Sequence, residues 1–247
     1  MIVVLSGEGP SDLGMCNNAQ GICRKPHFIH GPMTVIVDKE IEVQLSYSIL
    51  ETTPDRYIYV SEERLQELEV LRKRDRRRIS LVGKKQDQET GYFYINSWML
   101  GLEALSLEKQ EEDSAIAVLF RDCDGTRDNN RGLWDAKYNS MVNGFNRSEL
   151  CERGVPMIPK PKSESWLLCA VVNNYQHCAV LEELPGNDNS PRSAKKQLHK
   201  ALKQASTSQD QVNWLNLNGF DHVEVAKYMP SYRAFKAKIA AALTEVR

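Results

Sequence analysis

Short apolar runs and longer amphipathic stretches alternate along the chain. Residues 2–5 (IVVL) form an unbroken apolar run, followed by Ser6, Gly7 and Glu8, the pattern of a strand. A loop rich in Gly, Asn and Cys follows to about residue 31. Pro32 then stands where a first-turn proline belongs, with Met33, Ile36, Val37, Ile41 and Leu45 at helical spacing behind it. Tyr57 to Val60 reads as a strand, and Ser61 is placed to cap a charged helix through EERLQELEVLRKRDRRR. A helix is expected over 92–108, a strand at AIAVLF (115–120), a helix over 133–149 and a short strand at VPMIP (155–159). SESWLLCAVV opens a further helix with Ser163 as its cap, and beyond Pro185 only helix and loop patterns occur. Strand and helix in this alternation predict an α/β domain with a parallel sheet flanked by helices.

Ligands of parallel sheets collect beyond the carboxyl ends of the strands. Three acidic features fall there: Glu8 in LSGEGPSD, Asp122 and Asp124 in FRDCDG, and Glu164 in PKPKSESW. Residues i and i+2 of an extended chain point to the same side, so Asp122 and Asp124 can share one cation. Converging carboxylates repel one another, and a divalent ion relieves that repulsion; oxygen-only ligands suit Mg²⁺ or Mn²⁺. Each acid also has a plainer role open to it. Asp122 and Asp124 precede turn-forming residues, Glu8 fits a loop, and Glu164 fits the first turn of a helix, where the dipole favours an acid.

These motifs resemble those of the Toprim family. EGPSD at 8–12 after IVVL is similar to its glutamate motif, FRDCDG at 120–125 to its DxD motif, and PKxxSESWLL to the third acidic element of small stand-alone and OLD-like members. The likeness covers roughly residues 1–15 and 110–175. It implies a Toprim-like catalytic domain over 1–180 with an insertion at about 50–90, and a helical C-terminal extension over 181–247 packed on it. It further implies a metal-dependent nuclease of phage-defence type, in which Glu8, Asp122, Asp124 and Glu164 hold the ion, Glu8 orients or deprotonates water, and Lys160 or Lys162 meets the phosphate. Asp12 and Asp128 are weaker candidates nearby. No GxxxxGK[ST] loop occurs, so any nucleotide-driven step falls to a partner ATPase.

Composition narrows the partners. The 247 residues carry 32 basic and 33 acidic side chains, a near-neutral balance that argues against wholesale polyanion binding. Basic residues are concentrated at 71–85, where Arg74, Arg76, Arg77, Arg78, Lys84 and Lys85 form a stripe suited to nucleic-acid phosphates or to ion pairs with earlier glutamates. PRSAKKQLHK (191–200) is a second basic cluster, fit for nucleic acid or for a plain helix surface. The opening segment meets Glu8 too soon for a signal peptide, and no run approaches a membrane span. A cytoplasmic protein with no membrane partner is expected, a homo-oligomer being compatible with the sequence. The six cysteines lack CxxC pairing and are expected as reduced thiols; Cys16, Cys23, His27 and His30 leave a zinc site open but at an unfamiliar spacing. Trp98, Trp134, Trp166 and Trp214 are expected as core anchors. Two other functions stay open: a non-catalytic Toprim-like subunit that binds nucleic acid or protein, and a metal-dependent phosphatase.

Overall fold

The computed structural model of the chain describes residues 1–75, 90–123, 131–172, 174–202 and 207–246. Asp124 and Asp128, the side chain of Arg74, and Arg76, Arg77, Arg78, Lys84 and Lys85 lie outside the described residues.

The chain opens with β1 (Ile2–Gly7), all six residues buried. Three short strands, β2 (Gly14–Cys16), β3 (Ile22–Cys23) and β4 (Phe28–His30), occupy the stretch expected as loop. Then come α1 (Pro32–Leu45), the single turn α2 (Ile49–Thr52), β5 (Tyr57–Val60) and α3 (Glu62–Asp75). Beyond these lie α4 (Gly91–Glu111), β6 (Ala115–Phe120), α5 (Arg131–Ser148), β7 (Gly154–Met157) and α6 (Ser163–Val171). A 3-10 turn (Cys178–Glu183) and the helices α7 (Ala194–Leu202), α8 (Ser208–Asn218), α9 (His222–Tyr228) and α10 (Pro230–Thr244) complete the fold.

Five strands form one sheet in the order β3-β5-β1-β6-β7, parallel except for the edge strand β3. Alternate residues of β1 serve opposite cores. Val3 and Leu5 join α1, α6 and the C-terminal helices, while Ile2 and Val4 join α4, α5 and Leu65 of α3. Both faces are therefore covered, which is why the strands are apolar without alternation. β5 lies inside the span read as an insertion, yet it pairs with β1 and belongs to the sheet.

The C-terminal helices dock through apolar packing and two buried acids. Trp166 of α6, fully buried, stacks on Phe235 and meets the edge of Tyr232, both on α10. Glu40 of α1 accepts a 2.5 Å hydrogen bond from the Tyr232 hydroxyl and lies 3.0 Å from His222 and 3.5 Å from Lys236. Glu182 accepts from both the amide and the hydroxyl of Ser231 at the start of α10, at 2.9 and 2.6 Å. Burial pushes the Glu182 carboxyl above its ordinary range, and the Ser231 hydrogen bonds draw it only part of the way back. The folded state thus holds this proton more tightly than the unfolded chain does. Stability falls as pH rises from the ordinary glutamate range through the raised folded value. Glu182→Gln keeps the acceptor and removes the titration, so urea midpoints across the acid-to-neutral range should fall less with pH in the variant than in the parent. An unchanged pH slope would assign the fall to other groups.

The expectation of reduced thiols is corrected: Cys16 is bonded to Cys23 and Cys169 to Cys178, with Cα separations of 5.8 and 5.2 Å. Both fall within the range that a disulfide needs. Local turns, one between β2 and β3 and one after α6, bring the partners together, which cysteine spacing does not reveal. With Cys16 and Cys23 joined, the zinc reading of that loop loses two ligands; His27 faces the side chain of Asn17 at 3.1 Å instead. Cys123 and Cys151 are not joined in disulfides. Trp166 and Trp98 are buried as expected, whereas Trp134 and Trp214 are partly exposed. Among the described residues no helix is long and apolar enough to cross a membrane.

Candidate active site

Register aligns three strand exits. Gly7 of β1 pairs with Phe120 of β6, and Phe120 pairs with Met157 of β7, so Glu8, Arg121–Asp122 and Ile158 leave the sheet at one level. The chain beyond β6 stays extended: the amides of Arg121 and Cys123 donate to the carbonyls of Met157 and Pro159, each at 3.1 Å. The Asp122 amide points the other way, toward β1. It donates to Glu8 Oε1 at 2.7 Å. Gly9, at φ +70, supplies the left-handed turn after Glu8.

Asp122 then reaches the third exit. Its Oδ1 accepts the Ser163 amide at 3.0 Å, which caps α6 from another element. The expectation that Ser163 is the cap is corrected, since Ser163 is the first helical residue and Lys162 stands at the cap position, its side chain making no capping bond. The Ser163 hydroxyl is turned instead to Asp12 Oδ1 at 2.5 Å and lies 3.4 Å from Glu164 Oε2. Asp12 is held there by its own backbone, whose carbonyl accepts the Met33 amide at the start of α1. The approach depends on Gly31, because a Cβ there would meet the Asp12 carbonyl oxygen at 2.2 Å.

Electrostatics divide the site in two. Burial raises the carboxyl of Asp12, with hydrogen bonds from Ser163 and Ser11 acting against it. Burial also raises Glu164, its own backbone amide opposes this, and the nearby Asp12 charge adds to the rise. On the other side Arg121 bridges Glu8 Oε2 and Glu62 Oε1, 3.1 Å from each, with its guanidinium over the Phe93 ring. Lys137 of α5, 1% exposed, donates to the Cys123 carbonyl at 2.9 Å and lies 5.1 Å from the same ring.

The expected residues are therefore brought together in part. Glu8, Asp122, Glu164 and the weaker candidate Asp12 share one hydrogen-bonded set, while Asp124 lies outside the described residues. Among the described residues no three Asp, Glu, His or Cys side chains are arranged to hold a metal ion. Lys162 is turned to Asp188, 2.9 Å away. Lys160 lines a neighbouring cleft of about 380 Å³ with Trp134, Glu182 and Ser231. Sequence reasoning missed three participants: Arg121, Ser163 as an amide donor, and Lys137. Arg121 had a signal in its position beside Asp122. Lys137 had none, since a lysine in a helix reads as solvated until its burial is seen. No protein-family model, curated protein or solved structure matches this chain.

Proposed function

We propose that this chain is a divalent-metal-dependent nuclease that hydrolyses phosphodiester bonds of DNA or RNA, in the manner of the stand-alone Toprim enzymes of phage defence that its motifs resemble. The observation that carries the proposal is the set of hydrogen bonds linking Glu8, Asp122, Ser163 and Asp12 across adjacent parallel strand exits. Mg²⁺ or Mn²⁺ fits the donors: all are oxygens, and the raised carboxyls of Asp12 and Glu164 are those a cation would relieve. Glu8, Asp122, Asp124 and Glu164 would hold it. Bound there, the ion supplies charge neutralisation and Lewis acidity at the scissile phosphate.

The side chains divide the remaining work. Arg121 fixes Glu8 through Oε2, leaving Oε1 to accept a proton from the attacking water in exchange for the Asp122 amide. Asp122 ties the β6 exit to the start of α6. Lys160, with no ion pair among the described residues, meets the developing phosphate charge. Incubation of the purified chain with single- and double-stranded DNA and RNA, with Mg²⁺, Mn²⁺ or chelator, tests the proposal. Chelator-sensitive cleavage supports it, and intact substrate under every condition rejects it.

One observation favours a second reading. The Arg121–Glu8 ion pair already neutralises the first acid of the motif, as a non-catalytic Toprim-like subunit that binds nucleic acid or protein would allow. The same panel separates the two, since that subunit binds without cleaving.

A further inference from the structure

Two surfaces unused by the proposed chemistry complement each other. One is a groove of about 510 Å³ beside α7. Its floor is aliphatic: Leu168 on α6, Val172 just past its end, and Val180, Leu181 and Leu184 on and after the 3-10 turn. Val172 and Val180 are 55% and 63% exposed. The Cys169–Cys178 disulfide ties the two parts of this floor together, so the surface is formed before anything binds. The rim is basic. Arg192, Lys196 and Lys200 line it, and none of them has an ion pair among the described residues. An aliphatic floor without aromatic rings offers no stacking platform for a nucleobase. It fits an amphipathic helix with acids on its flank.

Such a helix is present on the same chain. α3 exposes Glu63, Gln66, Glu67, Val70 and Leu71, spaced i, i+3, i+4, i+7 and i+8 along one face. Val70 and Leu71 are 47% and 49% exposed, unusual for aliphatic residues side by side on a charged helix. Glu67 meets Arg64 at 3.4 Å, an exposed pair of the kind that contributes little. Glu63 and Glu67 are one turn apart, as are Lys196 and Lys200, so both pairs of charges repeat at about 6 Å. The two surfaces cannot meet within one chain. α3 packs through Leu65 on one face of the sheet, and α6 and α7 pack on the other.

We infer that α3 of one copy of this chain docks into the α6–α7 groove of a second copy, with Val70 and Leu71 on the aliphatic floor and Glu63 and Glu67 against Lys196 and Lys200. The contact is small and belongs with transient interfaces, weakening as salt rises.

A charge exchange followed by sedimentation velocity tests this. The parent associates at high protein concentration in low salt. Glu63→Lys with Glu67→Lys sets a basic helix against a basic groove, and Lys196→Glu with Lys200→Glu sets acid against acid; each double variant should associate at least about tenfold more weakly. Mixing the two variants restores opposite charges at both contacts and should restore association. These exposed substitutions leave the core intact, which a melting curve checks. A parent that stays monomeric, an association indifferent to either double variant, or a mixture that stays monomeric overturns the inference.

Discussion

Asp122→Ala should lower metal-dependent cleavage by at least about 100-fold, because even partners one shell removed from a metal ligand cost 10–100-fold when lost. The fold should survive. The Asp122 side chain accepts the Ser163 amide at the start of α6, and loss of a helix-capping acceptor costs about 1 kcal/mol. Asp122→Asn refines the test: the amide oxygen still accepts from Ser163 while the charge is gone. Activity that falls equally in both variants, with melting temperatures close to the parent, assigns the role to the charge. Full activity in the alanine variant would remove Asp122 from the chemistry.

Glu8→Gln is the second large effect. The variant keeps an oxygen for the Asp122 amide but loses the carboxylate that faces Arg121 and the basicity that accepts a proton. Cleavage should fall by about 100-fold or more, as removal of a general base does. Nucleic-acid binding should hold or tighten, since Arg121 is released from one of its two acids and a negative charge near the phosphates is gone. Rate and affinity measured side by side at saturating Mg²⁺ separate the outcomes. Parallel loss of both would mean that the turn at Gly9 has collapsed, and loss of neither would leave the second, non-catalytic reading.

The parts of this molecule that were legible in the sequence are those governed by local pattern. IVVL and AIAVLF announced strands, and Pro32 marked the start of α1. The helices over 92–108 and 133–149 differ from the observed Gly91–Glu111 and Arg131–Ser148 by a turn or less at each end. Glu8 and Asp122 were legible because each follows such a strand. What stayed hidden depends on long-range approach. β2, β3 and β4 are two or three residues long, too short for any period to show. The disulfides join cysteines only seven and nine residues apart, but the turns that bring their sulfurs together leave no mark in the spacing. Ser163 looked like a cap because its type favours that position, yet the bond that satisfies the helix comes from Asp122, 41 residues earlier. Arg121 and Lys137 illustrate the same limit. A site that needs counter-charges takes them from whichever elements pack against it, and packing is a property of the whole chain.

The central claim is that the acids at these strand exits form a divalent-cation site, and anomalous scattering from crystals soaked in Mn²⁺ tests it most directly. A peak is expected about 2.0–2.3 Å from carboxylate oxygens of Glu8 and Asp122. Crystals that take up no Mn²⁺ at this edge, or that bind it only elsewhere, would contradict it.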